Sequence, residues 1–358
     1  MMTTLDESLL RWLDEHADAL DADADAALAG ALHARLAAAG LFRIGVPLAS
    51  GGDGAGTGAA LAAVAALASR SLAAAFVYWA QRAVVACLLA APNRDLAARL
   101  VPPLLDGRLA GAPGLSNAMK FLGGLDRLHV RVTAAGGAAR LDGAVAWATN
   151  LNAAGGGFVA LVVAGDEEGG AALYAVPHDA PGVARAPDLD LLGLRATNTA
   201  ALQLDGVVLG PQWLLHPQAQ TLLPAVRPVF VGMQCGLGLG LARACLDAAA
   251  RAPGGEQPLL ARDSAALRMR IDGTLRRLAD GLDDGGLSAQ PLALLEARIA
   301  MVEMAAAAAR IELQALGGRA WLRGRDGGAA RRRREADFLP LVTPTLLQLK
   351  TELARARA

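Results

Sequence analysis

Apolar residues recur at helical spacing through the first third of the chain and again through the last, and alternate with polar ones in between. Thr4 and Glu7 form a T-x-x-E capping signature ahead of Leu9, Leu10, Leu13 and Leu20, so a first amphipathic helix is expected to start there. Leu28, Leu32 and Leu36 then repeat every fourth residue up to Gly40, which suits a left-handed helix end. The chain passes through Phe42 to Pro47 into a turn at Ser50-Gly51-Gly52-Asp53-Gly54. From Thr57 to about Gly107 helical spacing holds, with breaks expected at Pro92 and Pro102.

The period changes after Gly123-Gly124. Leu128, Val130 and Val132 alternate with His129, Arg131 and Thr133, as in a strand with one wet face. Gly136-Gly137 is read as a hairpin turn, and further strands are expected at Ala139 to Trp147, Phe158 to Ala164, Leu173 to Val176 and Ala201 to Leu209. From about Gln212 the helical period returns, around 220 to 250, 260 to 283, 291 to 316 and 341 to 357. The predicted class is α+β, mainly α. Its units are an N-terminal helical domain over 1–108, a central antiparallel β domain over 109–212 and a C-terminal helical bundle over 213–358.

A contiguous β block between two helical blocks argues against a doubly wound parallel sheet, in which strands and helices alternate. The run Gly236-Leu237-Gly238-Leu239-Gly240 follows no strand and sits inside a helical pattern, so it reads as close helix packing and not as a nucleotide loop. Gly51 to Gly58 lacks the Lys-Ser/Thr of a phosphate loop and reads as a turn. The longest apolar stretch, Ser71 to Pro92, is interrupted by Gln81 and Arg82, so a buried helix is expected there and no membrane span.

Composition narrows the partners. Thirty-four basic side chains balance 34 acidic ones, which points to neither a polyanion binder nor an acidic tail. Met1 to Leu20 carries five acids and a helical pattern, so no secretory signal is read and a cytoplasmic location is expected. Cys87, Cys235 and Cys245 lie in apolar stretches without ligand spacing, and the five histidines are scattered, so neither disulfides nor a metal site are expected.

Candidate chemistry concentrates in two segments. Val145-Ala146-Trp147-Ala148-Thr149-Asn150 places an indole and a hydroxyl two residues apart at a strand end, on one face if alternation holds. A planar aromatic beside a fixed hydrogen-bonding group can hold a ring such as a flavin; the plain alternative is a core Trp closing the β domain. Gly111 to Ala118 leaves a helix before the first expected strand, with backbone N–H groups and Ser116 free to meet a ligand or simply forming a connection.

These segments and their order resemble the acyl-CoA dehydrogenase family over nearly the whole chain. Gly45-Val46-Pro47 with Gly51-Gly52 is similar to the family's V-P-x-x-x-G-G turn, and Leu100 to Arg108 to its L-P-x-L-x-x-G helix end. Ser116-Asn117 stands in the place of the flavin loop T-E-P-x-A-G-S-D, and Trp147-Ala148-Thr149-Asn150 resembles the W-I-T-N flavin strand. Leu192 to Thr199 is similar to the turn L-G-x-R-x-S-x-T, Gln314 to Gly318 to Q-x-x-G-G, and Arg334-Glu335-Ala336 to R-D-A. The resemblance implies a C-terminal four-helix bundle, a homo-oligomer, dimeric or tetrameric, and FAD as cofactor. It further implies flavin contacts from Leu115, Ser116, Trp147, Ala148, Thr149 and Thr345, contacts from Gln314, Gly317 and Gly318 to a neighbouring subunit's dinucleotide, and substrate contacts from Ser116 and Asn117.

The departures bear on activity. Counting on from Arg334-Glu335-Ala336 puts Thr343-Pro344-Thr345 at the family's E-G-T, whose Glu removes the α-proton of an acyl thioester. A hydroxyl cannot take that proton unaided. The residue before Arg227, where some members carry their Glu, is Val226. The family's R-x-x-F-G segment is replaced by Arg251 to Pro258, which leaves room for FMN in place of FAD or for a grip by the seven arginines between Arg319 and Arg334. That run also admits a solvated loop, or phosphate neutralisation on a nucleic acid, although Trp321 is its sole aromatic. Three functions follow: a flavin oxidoreductase acting on an acyl thioester or related compound and passing electrons to a separate acceptor; a flavin monooxygenase on the same fold, fed by a reductase; and a non-catalytic acyl-CoA or flavin binding protein.

Overall fold

The computed structural model describes residues 5–23, 25–152, 156–322 and 324–357. Helix α1 (Glu7–Ala22) is capped by Asp6, whose carboxylate accepts the Leu9 N–H at 2.9 Å; Thr4 of the expected capping box lies outside the described residues. Asp25 caps α2 (Ala26–Ala38), and Gly40 turns the chain at φ +70°. Helices α3 (Thr57–Ala68), α4 (Leu72–Ala90) and α5 (Arg94–Leu105) follow. The expected break at Pro102 is not there: Pro102 and Pro103 lie in the last turn of α5. The break falls instead at Ser69 to Ser71, where the Ser71 hydroxyl accepts the Ala74 N–H and starts α4.

Strand β1 (Ala110–Pro113) leads into the short helix α6 (Ser116–Leu122), and β2 (Val130–Ala135), β3 (Ala138–Ala148), β4 (Phe158–Gly165), β5 (Ala171–Pro177), β6 (Val183–Asp188), β7 (Ala200–Leu209) and β8 (Leu214–His216) complete one sheet. Its order is β6-β7-β3-β2-β4-β5-β8, with β1 also on β4. Two features correct the expectation. The segment from Gly111 is not a free connection, because β1 is wholly buried; and the sheet is mixed, since β1 and β2 both pair parallel with β4. The uninterrupted apolar run of β4 has a simple cause. Val159, Leu161 and Val163 belong to the helical core and Phe158, Ala160 and Val162 to the β core, so both faces are covered.

The chain then forms α7 (Ala219–Arg251), α8 (Pro258–Asp283), the single turn α9 (Gly286–Ala289), α10 (Pro291–Leu316), α11 (Ala329–Phe338) and α12 (Leu346–Arg357). Gly236, Gly238 and Gly240 lie inside α7 and let it approach its neighbours: side chains there would meet Leu61 O, Met301 and Ala65 respectively. One apolar cluster runs from Leu5 through α3, α4, α7 and α10 to Val342, joining the two helical blocks. Helices α4 and α7 are long and apolar enough to cross a membrane, yet 89% and 83% of their most apolar windows are buried within the fold.

Helix α11 was hidden by its charge. The run Arg331 to Arg334 is not a solvated loop: Arg331 bonds Glu335 and Asp18, each at 2.8 Å, Arg332 grips Glu312, Arg334 pairs with Asp21, and Arg333 lies over the Trp321 ring. Internal carboxylates and an indole thus hold most of the described positive charge of that run. Arg323 lies outside the described residues.

Candidate active site

At the end of β3 the pairing with β7 slips between Val145 and Ala148, so Ala146 and Trp147 together oppose one residue. This bulge leaves the indole 52% exposed, which removes the reading of Trp147 as a core residue. Two residues on, Thr149 is buried. Its hydroxyl shares a 3.1 Å hydrogen bond with the Thr199 hydroxyl, which lies 2.7 Å from that of Thr197, which in turn donates to Leu194 O. Asn150 then takes a left-handed φ of +66°, and its N–H and that of Leu151 donate to Thr197 O and Asn198 O. The turn from Leu192 to Thr199, singled out in the sequence, is thus the bracket that shapes the strand end. Asp21, buried on α1, holds that turn by accepting the Leu194 N–H.

The other segment behaves differently. Leu115 is buried at 1% exposure and Ala148 likewise, so neither presents a side chain at the surface. Ser116 opens α6, and among the described residues its hydroxyl has no hydrogen-bond partner. Asn117 is fully engaged: its amide donates to Asp126 and Arg127 O and accepts from His129 N, closing the connection to β2. Gln314, Gly317 and Gly318 lie at the exposed end of α10, and a Cβ at either glycine would meet nothing within 4 Å. No hydrogen bond among the described residues joins them to the β3 end. Thr345 caps α12 by accepting the Gln348 N–H at 3.2 Å.

Thr343 lies at the edge of the helical core. Its carbonyl accepts from Gln234 Nε2 at 2.9 Å, and Arg298, fully buried on α10, donates to Gln234, Leu339 O and Val342 O. Burial, only partly opposed by neighbouring Cys235, lowers the Arg298 guanidinium to about 10. Next to this loop a cavity of about 530 Å³ opens between α6, α7 and α12, lined by Met119, Leu122, Leu223 and Pro344 with Arg227 and Glu352 among its polar residues. Arg227 and Glu352 form a two-pronged ion pair at 2.6 and 2.5 Å. Glu352 is the one carboxylate on this cavity among the described residues. Sequence reading found Arg227 but not its partner; Glu352 is a lone acid on a helix with no pattern to mark it.

Sequence reading also passed over Gln81, except as an interruption of an apolar helix. It is fully buried on α4, and its amide bonds the backbone of β1 and the side chain of Asn150. A polar residue amid sixteen buried positions of one helix was the available signal.

Residues 3–108 match the family Acyl-CoA dehydrogenase, N-terminal domain. No curated protein matches the chain. Among solved structures, glutaryl-CoA dehydrogenase from Mycobacterium smegmatis superposes with a TM-score of 0.82 at 20% identity, over 98% of this chain and 91% of that one. TdsC from Paenibacillus sp. A11-2, solved with FMN and indole, gives 0.79 at 19% identity, covering 96% and 93%. Butyryl-CoA dehydrogenase from Megasphaera elsdenii gives 0.78 at 16% identity, covering 99% of both chains. From its N-terminal helices through the central sheet to the C-terminal helices, the chain has the acyl-CoA dehydrogenase fold.

Proposed function

We propose that this protein is a cytoplasmic, homo-oligomeric flavin-dependent oxidoreductase of the acyl-CoA dehydrogenase type, acting on an acyl thioester or related compound. The observation that carries the reading is the open indole of Trp147 on its bulge, beside the threonine hydroxyls that end the strand. An exposed aromatic face next to a fixed hydroxyl suits a planar ring with hydrogen-bonding edges. Trp147 would hold that ring, with Ser116 and Thr149 supplying hydroxyls. The bare backbone at Gly317 and Gly318, with Gln314, is suited to a neighbouring subunit's dinucleotide.

When bound, the flavin supplies a two-electron acceptor or, once reduced, the means to activate oxygen. The chain's own residues position the substrate. Met119, Leu122 and Leu223 give the cavity an apolar wall for an acyl group, while Arg355 offers a cation to a polar end. Thr343 stands where the family carries its proton-abstracting carboxylate. Loss of such a base costs about 10²- to 10⁴-fold. Glu352 does not make good the loss, because both its oxygens are committed to Arg227.

That commitment favours a second reading: a flavin monooxygenase, which needs no carboxylate for α-proton removal and which TdsC, a dibenzothiophene monooxygenase, exemplifies on this fold. FAD or FMN suits either reading, with an electron acceptor in the first and a flavin reductase in the second. The test begins with mass spectrometry of the cofactor released from purified protein. Anaerobic mixing with butyryl-CoA and glutaryl-CoA then bleaches the flavin band if the first reading holds. Reduced flavin, oxygen and indole give an oxygenated product if the second does. Binding without either reaction leaves a non-catalytic acyl-CoA or flavin binder, and absence of flavin binding overturns all flavin-based readings.

A further inference from the structure

We propose that Gln81, a residue of the N-terminal helical block, is the positioning residue that fixes the two flavin-facing segments relative to each other. The inference rests on the flavin reading above. The side chain is fully buried in α4, where an unpaired amide would be costly. Its Oε1 accepts the Gly111 N–H of β1 at 2.6 Å and the Asn150 Nδ2–H at 2.8 Å. Its Nε2 donates to Leu104 O and Leu109 O, both at 2.8 Å. A side-chain amide has two donors and two acceptor lone pairs, so all its capacity is used.

The four partners lie in three places. Leu104 and Leu109 fix the end of α5 and its exit; Gly111 fixes β1, which runs on to Leu115 and Ser116; Asn150 ends the segment that carries Trp147 and Thr149. Asn150 closes the circuit by donating to Gly111 O as well, at 3.1 Å. It is also the left-handed residue at which the chain turns behind Thr149, pinned by its N–H to Thr197 O. A shift of the Asn150 side chain therefore moves the backbone next to the Thr149 hydroxyl, and a shift of Gly111 moves the approach to Ser116. One buried amide sets both. Among the described residues no β-ladder joins these segments directly: β1 pairs with β4, and β3 with β2 and β7.

The test compares wild type, Gln81→Leu and Asn150→Gly, each reconstituted with FAD and with FMN. Gln81→Leu removes all four bonds at similar volume. Asn150→Gly keeps the left-handed backbone and removes only the side-chain arm. The readouts are flavin dissociation constant, the visible spectrum and midpoint potential of the bound flavin, and amide hydrogen exchange with and without flavin. Gln81→Leu is expected to weaken binding about tenfold and to alter the bound spectrum and potential. Exchange should quicken both at Gly111 to Ser116 and at Trp147 to Leu151. Asn150→Gly is expected to shift the same readouts in the same direction, by less, and it carries the test alone if Gln81→Leu does not fold. If wild type binds flavin and the folded variants bind it with unchanged affinity, spectrum and potential, the positioning role is overturned while the flavin reading stands. If wild type binds neither flavin, the flavin reading fails and this inference falls with it.

Discussion

Gly240→Ala tests how closely α3 and α7 are packed. A methyl group there would overlap the Ala65 carbonyl oxygen and stand 2.8 Å from its carbonyl carbon, against an ordinary contact range of 3.4–4 Å. The obstructing atoms are backbone, so no rotamer change relieves the clash, and the helices must part by roughly 1 Å or the methyl must be strained. Overpacking of this kind costs about 1–3 kcal/mol. Alanine's better helix propensity returns about 1 kcal/mol, and a clash with rigid backbone belongs in the upper half of the overpacking range, so a net loss of about 1–2 kcal/mol is expected. Gly238→Ala is the control. Its methyl would overlap Met301 Sδ and stand 3.1 Å from Leu339 Cδ1, side-chain atoms that can shift where backbone cannot, so a smaller loss than at Gly240 is expected. Urea unfolding at equal protein concentration, read as a change in midpoint at constant slope, measures both. If Gly240→Ala is as stable as wild type, or no worse than Gly238→Ala, the packing argument is refuted.

Three further outcomes follow from the same structure. Glu312→Gln leaves the buried guanidinium of Arg332 without its anion and should cost about 3–5 kcal/mol by urea midpoint; a loss below about 1 kcal/mol would mean the pair is not buried as described. Burial pushes the His33 imidazole below its ordinary value of 6.5, against the opposing pull of Gly107 and Asn150, so the folded state binds fewer protons than the unfolded one. Its contribution to stability is complete above 6.5 and declines as pH falls through the lowered folded value, and His33→Gln should flatten stability across that window. Thr343→Glu restores a carboxylate at the position counted from Arg334-Glu335-Ala336 and should speed anaerobic flavin reduction by butyryl-CoA about 10²-fold or more; no acceleration would show that this position does not face the substrate's α-carbon.

What could be seen in the sequence was whatever repeats. Periods of 3.6 and 2 separate the helical blocks from the sheet; the strand expected over Leu128 to Thr133 is present from Val130 on, and the glycines inside α7 fall where the pattern puts them. Strands β1, β6 and β8 escaped because Ala110–Pro113 is small and glycine-bearing, Val183–Asp188 half polar and Leu214–His216 only three residues long, too little for a period to declare itself. Helix α11 escaped because buried ion pairs, with partners far away in the chain, do the work that apolar spacing does elsewhere. The same holds at the site. Trp147 and Thr149 stood out by residue type. Gln81, Arg298 and the Arg227–Glu352 pair act through contacts across 23 to 125 residues of the kind no local window displays.

The central claim is that a flavin lies against the Trp147 indole. The most direct measurement is equilibrium dialysis of FAD and of FMN against wild type and Trp147→Ala, with circular dichroism confirming that both are folded. The account predicts that wild type retains one of the two flavins, and that the variant binds it about tenfold more weakly or worse, equivalent to about 1.4 kcal/mol. Equal affinity in the two proteins, or no retention of either flavin by wild type, would contradict it.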